Sequence, residues 1–116
     1  MIIYGASPMS PTRLQQAIDR FGPVFCQLYG QTEARIVIIY LSKADHLVPH
    51  RLASCGLPVP GTQVRLLRDD GSEVDSGEVG EICVRSPIVT DVYWKRPEET
   101  AKAFAHDWLH TGDMAR

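Results

Sequence analysis

Three short segments of this chain place groups suited to holding a phosphorylated ligand. In Tyr29-Gly30-Gln31-Thr32-Glu33, the Thr32 hydroxyl can serve a phosphate oxygen. Glu33 supplies the hard carboxylate oxygen that binds Mg²⁺ beside nucleotide phosphates. Tyr29 adds an aromatic face, and the small, glycine-led turn Gly5-Ala6-Ser7-Pro8 lets a flat ligand such as a purine approach the backbone. Thr111-Gly112-Asp113 ends in a further carboxylate. Each segment also has an ordinary reading. Thr32 suits the cap of a short helix with Glu33 as its first-turn acid, and Thr111 to Asp113 is a common turn.

The elements that must position these groups are legible from pattern. Ile2-Ile3-Tyr4 reads as a strand ended by Gly5, because it is short and β-branched. A helix follows, with Ser10 as N-cap, Pro11 at its first position, Leu14, Ala17, Ile18 and Phe21 on one face, and Gly22-Pro23 as the stop. Val24 to Leu28 is a second strand. A strand-helix-strand unit of this length predicts parallel strands with a right-handed crossover. The turns at 5–8 and 29–33 then leave neighbouring strands at their carboxyl ends, where open α/β sheets bind ligands.

From about Ser54 the chain turns to glycine, proline and short alternating strands. Cys55-Gly56-Leu57-Pro58-Val59-Pro60-Gly61 is a rigid connector, and the expected division is 1–54 and 55–116. Thr62 to Arg68 reads as a strand with Val64 and Leu66 on one face, and Asp69-Asp70-Gly71-Ser72 as a hairpin turn. Gly80 to Arg85 alternates as a half-buried strand with Glu78 and Glu81 solvated. Pro97 to Phe104 is a short helix, and Trp108-Leu109-His110 a short strand ending at Thr111-Gly112-Asp113. The expected class is α/β: a β-α-β piece of a large parallel-sheet subdomain, then a β-rich, distorted-barrel subdomain.

Composition narrows the function classes. The chain has 116 residues, 44% hydrophobic and 22% charged, with 12 Lys+Arg against 14 Asp+Glu. A net charge of −2 provides no basic surface for nucleic acid or an anionic membrane. The longest apolar run, Ile36 to Leu41, is far short of the roughly 20 residues of a spanning helix. Cys26, Cys55 and Cys83 are odd in number and form no Cys-x-x-Cys pair, which fits packing roles in a reducing cytoplasm. The pairs His46/His50 and His106/His110 are not expected to hold a metal. Pro49 disrupts the first, and in an extended strand the members of the second lie about 13 Å apart.

In order along the chain, Tyr4-Gly5-Ala6-Ser7-Pro8-Met9, Tyr29-Gly30-Gln31-Thr32-Glu33, Gly56-Leu57-Pro58-Val59-Pro60-Gly61, Gly80-Glu81-Ile82, and Tyr93-Trp94 through Pro97-Glu98-x-Thr100 to Trp108-Leu109-His110-Thr111-Gly112-Asp113 resemble the motifs of the adenylate-forming superfamily. The resemblance is closest to its acyl-coenzyme A synthetases. It implies ATP/AMP, Mg²⁺ and coenzyme A as cofactors and cosubstrate, and a small-molecule carboxylic acid, expected to be a fatty acid, as substrate. Residue by residue, it implies that Gly5, Ala6 and Ser7 line adenine through their backbone, with Tyr29 across the ring and Gly30 and Gln31 beside it. It gives Thr32 the α-phosphate and Glu33 the Mg²⁺, as the catalytic pair. Asp113 takes the ribose hydroxyls, and Ala34 borders the acyl pocket.

Two positions depart from the family pattern. Val92 and Asp107 stand where glycine is frequent, predicting altered loop geometry there. The family's phosphate loop lies upstream of these motifs, and its hinge and lysine-bearing mobile domain downstream; Lys43, Lys95 and Lys102 match no catalytic-lysine context. The expectation is therefore an internal fragment of an acid–thiol ligase, inactive by itself and prone to self-association through strands left without neighbours. The alternatives are a naturally short nucleotide-binding or interaction module, and a piece of an amino-acid adenylation domain.

Overall fold

A computed structural model describes all 116 residues. The chain divides into two compact units, residues 1–32 with 36–59 and residues 33–35 with 60–116.

The first unit is built on a four-stranded sheet ordered β1-β2-β3-β4, comprising β1 (Ile2–Gly5), β2 (Phe25–Tyr29), β3 (Ile39–Leu41) and β4 (Leu57–Pro58). Helix α1 (Pro11–Phe21) makes the crossover that leaves β1 and β2 parallel, with Gly5 opposite Leu28. The sheet is mixed, since β3 and β4 run antiparallel to their neighbours. β3 comes from the apolar run Ile36 to Leu41, whose length and β-branching suit a buried strand.

Leu14 and Ile18 of α1 pack with Phe25 and Leu52, against Tyr4, Ala17 and Val24. Phe21 departs from the expected apolar face. It is 62% exposed, being the last helical residue before Gly22. Ser10 makes no side-chain cap bond; only its carbonyl engages the helix, accepting the Leu14 N–H at 2.9 Å.

The second unit carries a three-stranded antiparallel sheet, β5 (Gln63–Leu67), β6 (Gly80–Arg85) and β7 (Leu109–Ala115). Three strands leave the sheet open rather than closed as a barrel, because closure needs more strands, tilted and staggered. The Asp69 to Ser72 turn forms as expected: the Arg68 backbone N–H donates to the Ser72 carbonyl at 2.8 Å, with Gly71 at φ 81. Arg68 then fastens the returning loop through ion pairs to Asp75 and Glu78. Leu67, Cys83 and Trp108 form the core, and the Arg85 guanidinium lies 4.4 Å from the Trp108 ring centroid, where cation and quadrupole attract. Helix α2 (Pro97–Ala103) follows with Pro97 in its first turn.

The strand at Trp108 does not end at Asp113. β7 runs on to Ala115. Asp107 lies at φ 63 and His106 at φ 54, so the glycine-to-aspartate departure sits in the left-handed conformation glycine favours, which aspartate tolerates. No helix is long and apolar enough to cross a membrane.

Candidate functional site

In the first unit, the register of β1 on β2 sets the two predicted turns side by side, since Gly5 pairs with Leu28 and Tyr29 follows immediately. The glycines work differently from the sequence expectation. A side chain at Gly5 would overlap the Leu28 carbonyl, and one at Gly30 the Ile36 carbonyl, so both glycines admit neighbouring backbone. Ala6 takes φ 62, turning the chain out of β1 toward Ser7.

After Gly30 the turn is closed by Ile36 N–H to the Gln31 carbonyl at 3.0 Å and Ile38 N–H to the Tyr29 carbonyl at 2.8 Å. Ile36 is held there at φ 86, an outlying conformation for a β-branched residue. The Gln31 side-chain nitrogen is buried without a hydrogen-bond partner. An unsatisfied buried donor costs about 1–3 kcal/mol.

Behind the first turn lies a network that sequence reasoning missed. The Tyr4 hydroxyl is 3.0 Å from both Gln27 Oε1 and His46 Nε2, and His46 Nδ1 donates to the Ser42 carbonyl at 2.6 Å. His46 is buried at 2% exposure and anchors β1 just before Gly5. Burial, then the neighbouring Cys26, pushes the Tyr4 hydroxyl pKa above its usual value.

Thr32 and Glu33 open one 3₁₀ turn, Thr32–Ala34; Thr32 is exposed and Ala34 buried. Glu33 is held within the second unit. Its Oε1 accepts the Tyr93 hydroxyl at 2.6 Å, and its carbonyl accepts the Thr90 N–H at 2.7 Å. The bond to Glu33 raises the Tyr93 pKa above 10, burial and the carboxylate charge adding to it. Sixty residues separate this pair, and no local pattern announces it. Glu33 offers carboxylate oxygens, the hard donor type that suits Mg²⁺.

Asp113 lies on a bulge. Glu81 pairs with Met114 and Cys83 with His110, so Ile82 alone faces Thr111, Gly112 and Asp113. Bulges of this kind re-aim side chains, and Gly112 supplies φ 77. Thr111 Oγ1 donates to the Ile82 carbonyl at 2.8 Å and accepts the Asp113 N–H at 3.2 Å.

Glu81 is not the solvated partner expected from alternation. Its Oε1 accepts the Gly112 N–H at 2.8 Å and its Oε2 lies 2.6 Å from His110 Nδ1. Cys83 Sγ is 3.5 Å from the same nitrogen, and the donor atoms of Glu81, Cys83 and His110 lie within 4.8 Å of one another. Burial, then the Glu81 charge, pushes the Cys83 thiol up to about 11, so it stays protonated near neutrality and the cluster is held by hydrogen bonds. His106 and His110 are closer than extended spacing predicts, with ring centroids 6.2 Å apart, because the chain turns at 105–107. Two open depressions of about 310 Å³ each lie on the second unit, and none of the candidate site residues lines either.

A sequence model of the AMP-binding enzyme family matches residues 1–94. The chain belongs to this family. It is similar to the medium/long-chain fatty-acid–CoA ligase FadD8 of Mycobacterium tuberculosis, 53% identical over 115 residues, covering 99% of this chain and 20% of that protein. Among solved structures it is similar to the amide bond synthetase McbA of Marinactinospora thermotolerans, with TM-score 0.90, 39% identity, and coverage of 97% of this chain and 22% of that one. It is also similar to o-succinylbenzoate coenzyme A synthetase of Bacillus subtilis in complex with ATP and magnesium, with TM-score 0.85, 31% identity, and coverage of 97% and 23%. The chain thus spans about a fifth of the length of the relatives it matches.

Proposed function

We propose that this chain is the segment of an ATP-dependent acyl-coenzyme A ligase that carries part of its adenylate site. In the proposed reaction a carboxylate attacks the α-phosphorus of ATP, giving acyl-AMP and pyrophosphate, and the thiol of coenzyme A then displaces AMP to form the thioester. The acid is a fatty acid in this reading, which the 53% identity to a medium/long-chain fatty-acid ligase supports. The backbone of Gly5, Ala6 and Ser7 meets adenine opposite Tyr29, Thr32 meets the α-phosphate, and Asp113 accepts from the ribose hydroxyls, as a carboxylate can from two donors at once. Glu33 would hold Mg²⁺, which when bound neutralises charge on the phosphates. Ala34 borders the acid.

The observation that carries the reading is the register that sets the 5–8 and 29–33 turns side by side in a chain of the AMP-binding family. Calorimetric titration of the chain with a non-hydrolysable acyl-AMP mimic plus Mg²⁺ tests it. Binding that Asp113→Ala weakens is expected; absence of binding by the folded chain would remove the claim that this segment holds its part of the site by itself. The isolated chain is expected not to turn over ATP with a fatty acid, and turnover would refute the fragment reading.

Two further points belong to the proposal. Self-association is supported by β1, an edge strand with Ile2 42% and Ile3 55% exposed; a monomer in sedimentation across the micromolar range would sink it. A reducing, cytoplasmic setting is supported by three free cysteines.

A further inference from the structure

We propose that Glu81 is a positioning residue for the nucleotide: its carboxylate holds the Thr111-Gly112-Asp113 bulge in the conformation that presents Asp113. This rests on the reading of Asp113 as the ribose-binding carboxylate.

The argument starts from the register. A bulge of three residues against one leaves backbone groups without ladder partners, and its shape must be set by something else. Here the strand opposite supplies it. Glu81 Oε1 takes the Gly112 N–H at 2.8 Å, the amide immediately before Asp113. The Ile82 carbonyl takes the Thr111 hydroxyl, and that hydroxyl takes the Asp113 N–H.

Glu81 is itself fixed. His110 Nε2 lies 3.2 Å from the Ala105 carbonyl, and Nδ1 lies 2.6 Å from Glu81 Oε2. Both ring nitrogens thus face oxygen acceptors, which fixes the ring. The pair is largely shielded, with His110 14% and Glu81 24% exposed at the side chain, so its charge-assisted bond is screened less than a surface pair. Glu81 therefore links a rigid strand to the one turn whose carboxylate must be aimed.

The test combines nucleotide affinity with a conservative rescue. Glu81→Ala is expected to weaken acyl-AMP mimic binding about tenfold, the effect of roughly one lost hydrogen bond to a charged group. Glu81→Gln keeps an oxygen for Gly112 and turns its amide N–H toward His110 Nδ1, so affinity returns to within about threefold of the original. Nitrogen-15 spectra should then show His110 Nδ1 changing from protonated to unprotonated, a signature that loss of packing does not produce. In the Asp113→Ala background, Glu81→Ala should cost nothing further, because its effect runs through Asp113.

Equal binding by Glu81→Ala and the unaltered chain, with Asp113→Ala weakened, overturns the positioning role alone. Equal binding by Asp113→Ala and the unaltered chain overturns the ribose reading. Hydrogen exchange at the Gly112 amide reports independently of nucleotide: protection lost in Glu81→Ala and kept in Glu81→Gln supports the hold, and unchanged protection in both contradicts it.

Discussion

The turn at Tyr29 to Glu33 and the bulge at Thr111 to Asp113 are each proposed to present groups to nucleotide, yet they are built by opposite means. The first is shaped by backbone, through the close approaches of Gly5 to Leu28 and Gly30 to Ile36 and the two backbone N–H···O=C hydrogen bonds that close the turn. The second is shaped by side chains, with Glu81, His110 and Thr111 supplying what the strand ladder cannot. A turn made of backbone contact tolerates no added atoms. A bulge made of side-chain bonds tolerates added volume but not lost oxygens.

Breaking the first turn should have the largest effect. Gly30→Ala drives a methyl into the Ile36 carbonyl and should destabilise the chain by about 3 kcal/mol in chemical denaturation, since fixed backbone yields less than a flexible side chain. Gly112→Ala should cost only about 1–2 kcal/mol, the penalty of a left-handed alanine, because nothing lies within 4 Å of its missing Cβ. Equal costs would erase the distinction.

Tyr93→Phe sharpens the comparison at Glu33, where backbone and side-chain holding meet. Loss of its bond to Glu33 should cost about 1 kcal/mol near neutrality. Because folding raises the Tyr93 pKa above 10, the stabilisation is complete below that value and fades as pH rises through the folded pKa. Thermal unfolding of the two proteins should therefore converge in strong alkali; a gap that stays constant would contradict the Tyr93–Glu33 bond. The smallest effect is expected of Ser10→Ala, less than about 0.5 kcal/mol against about 1 for a working cap, since Ser10 makes no side-chain cap bond.

The difference in construction also explains what was legible in the sequence. β1, α1 and β2 follow from local pattern, with Pro11 and Gly22 marking the helix ends, and Gly5, Tyr29 and Thr32 could be placed from strand order alone. Glu81 could not. Alternation assigns it to solvent, whereas its partners His110 and Gly112 stand 29 and 31 residues away, and the bulge that brings Gly112 to it is a property of register rather than composition. Glu81 and Cys83, two apart on one strand, do share a face by period, which is the single local hint. β3 stayed hidden because three residues of it, Ile39–Leu41, end an apolar run whose partners come from elsewhere in the chain. The 6.2 Å separation of the His106 and His110 rings falls below the extended spacing because His106 and Asp107 take left-handed conformations.

The central proposal is that each of these differently built turns contributes nucleotide-binding groups. Its most direct test is amide chemical-shift mapping of the nitrogen-15-labelled chain on addition of AMP and Mg²⁺. The account predicts saturable changes at residues 5–7, 29–33 and 112–113. Changes confined to other residues, or none at saturating nucleotide, would contradict it.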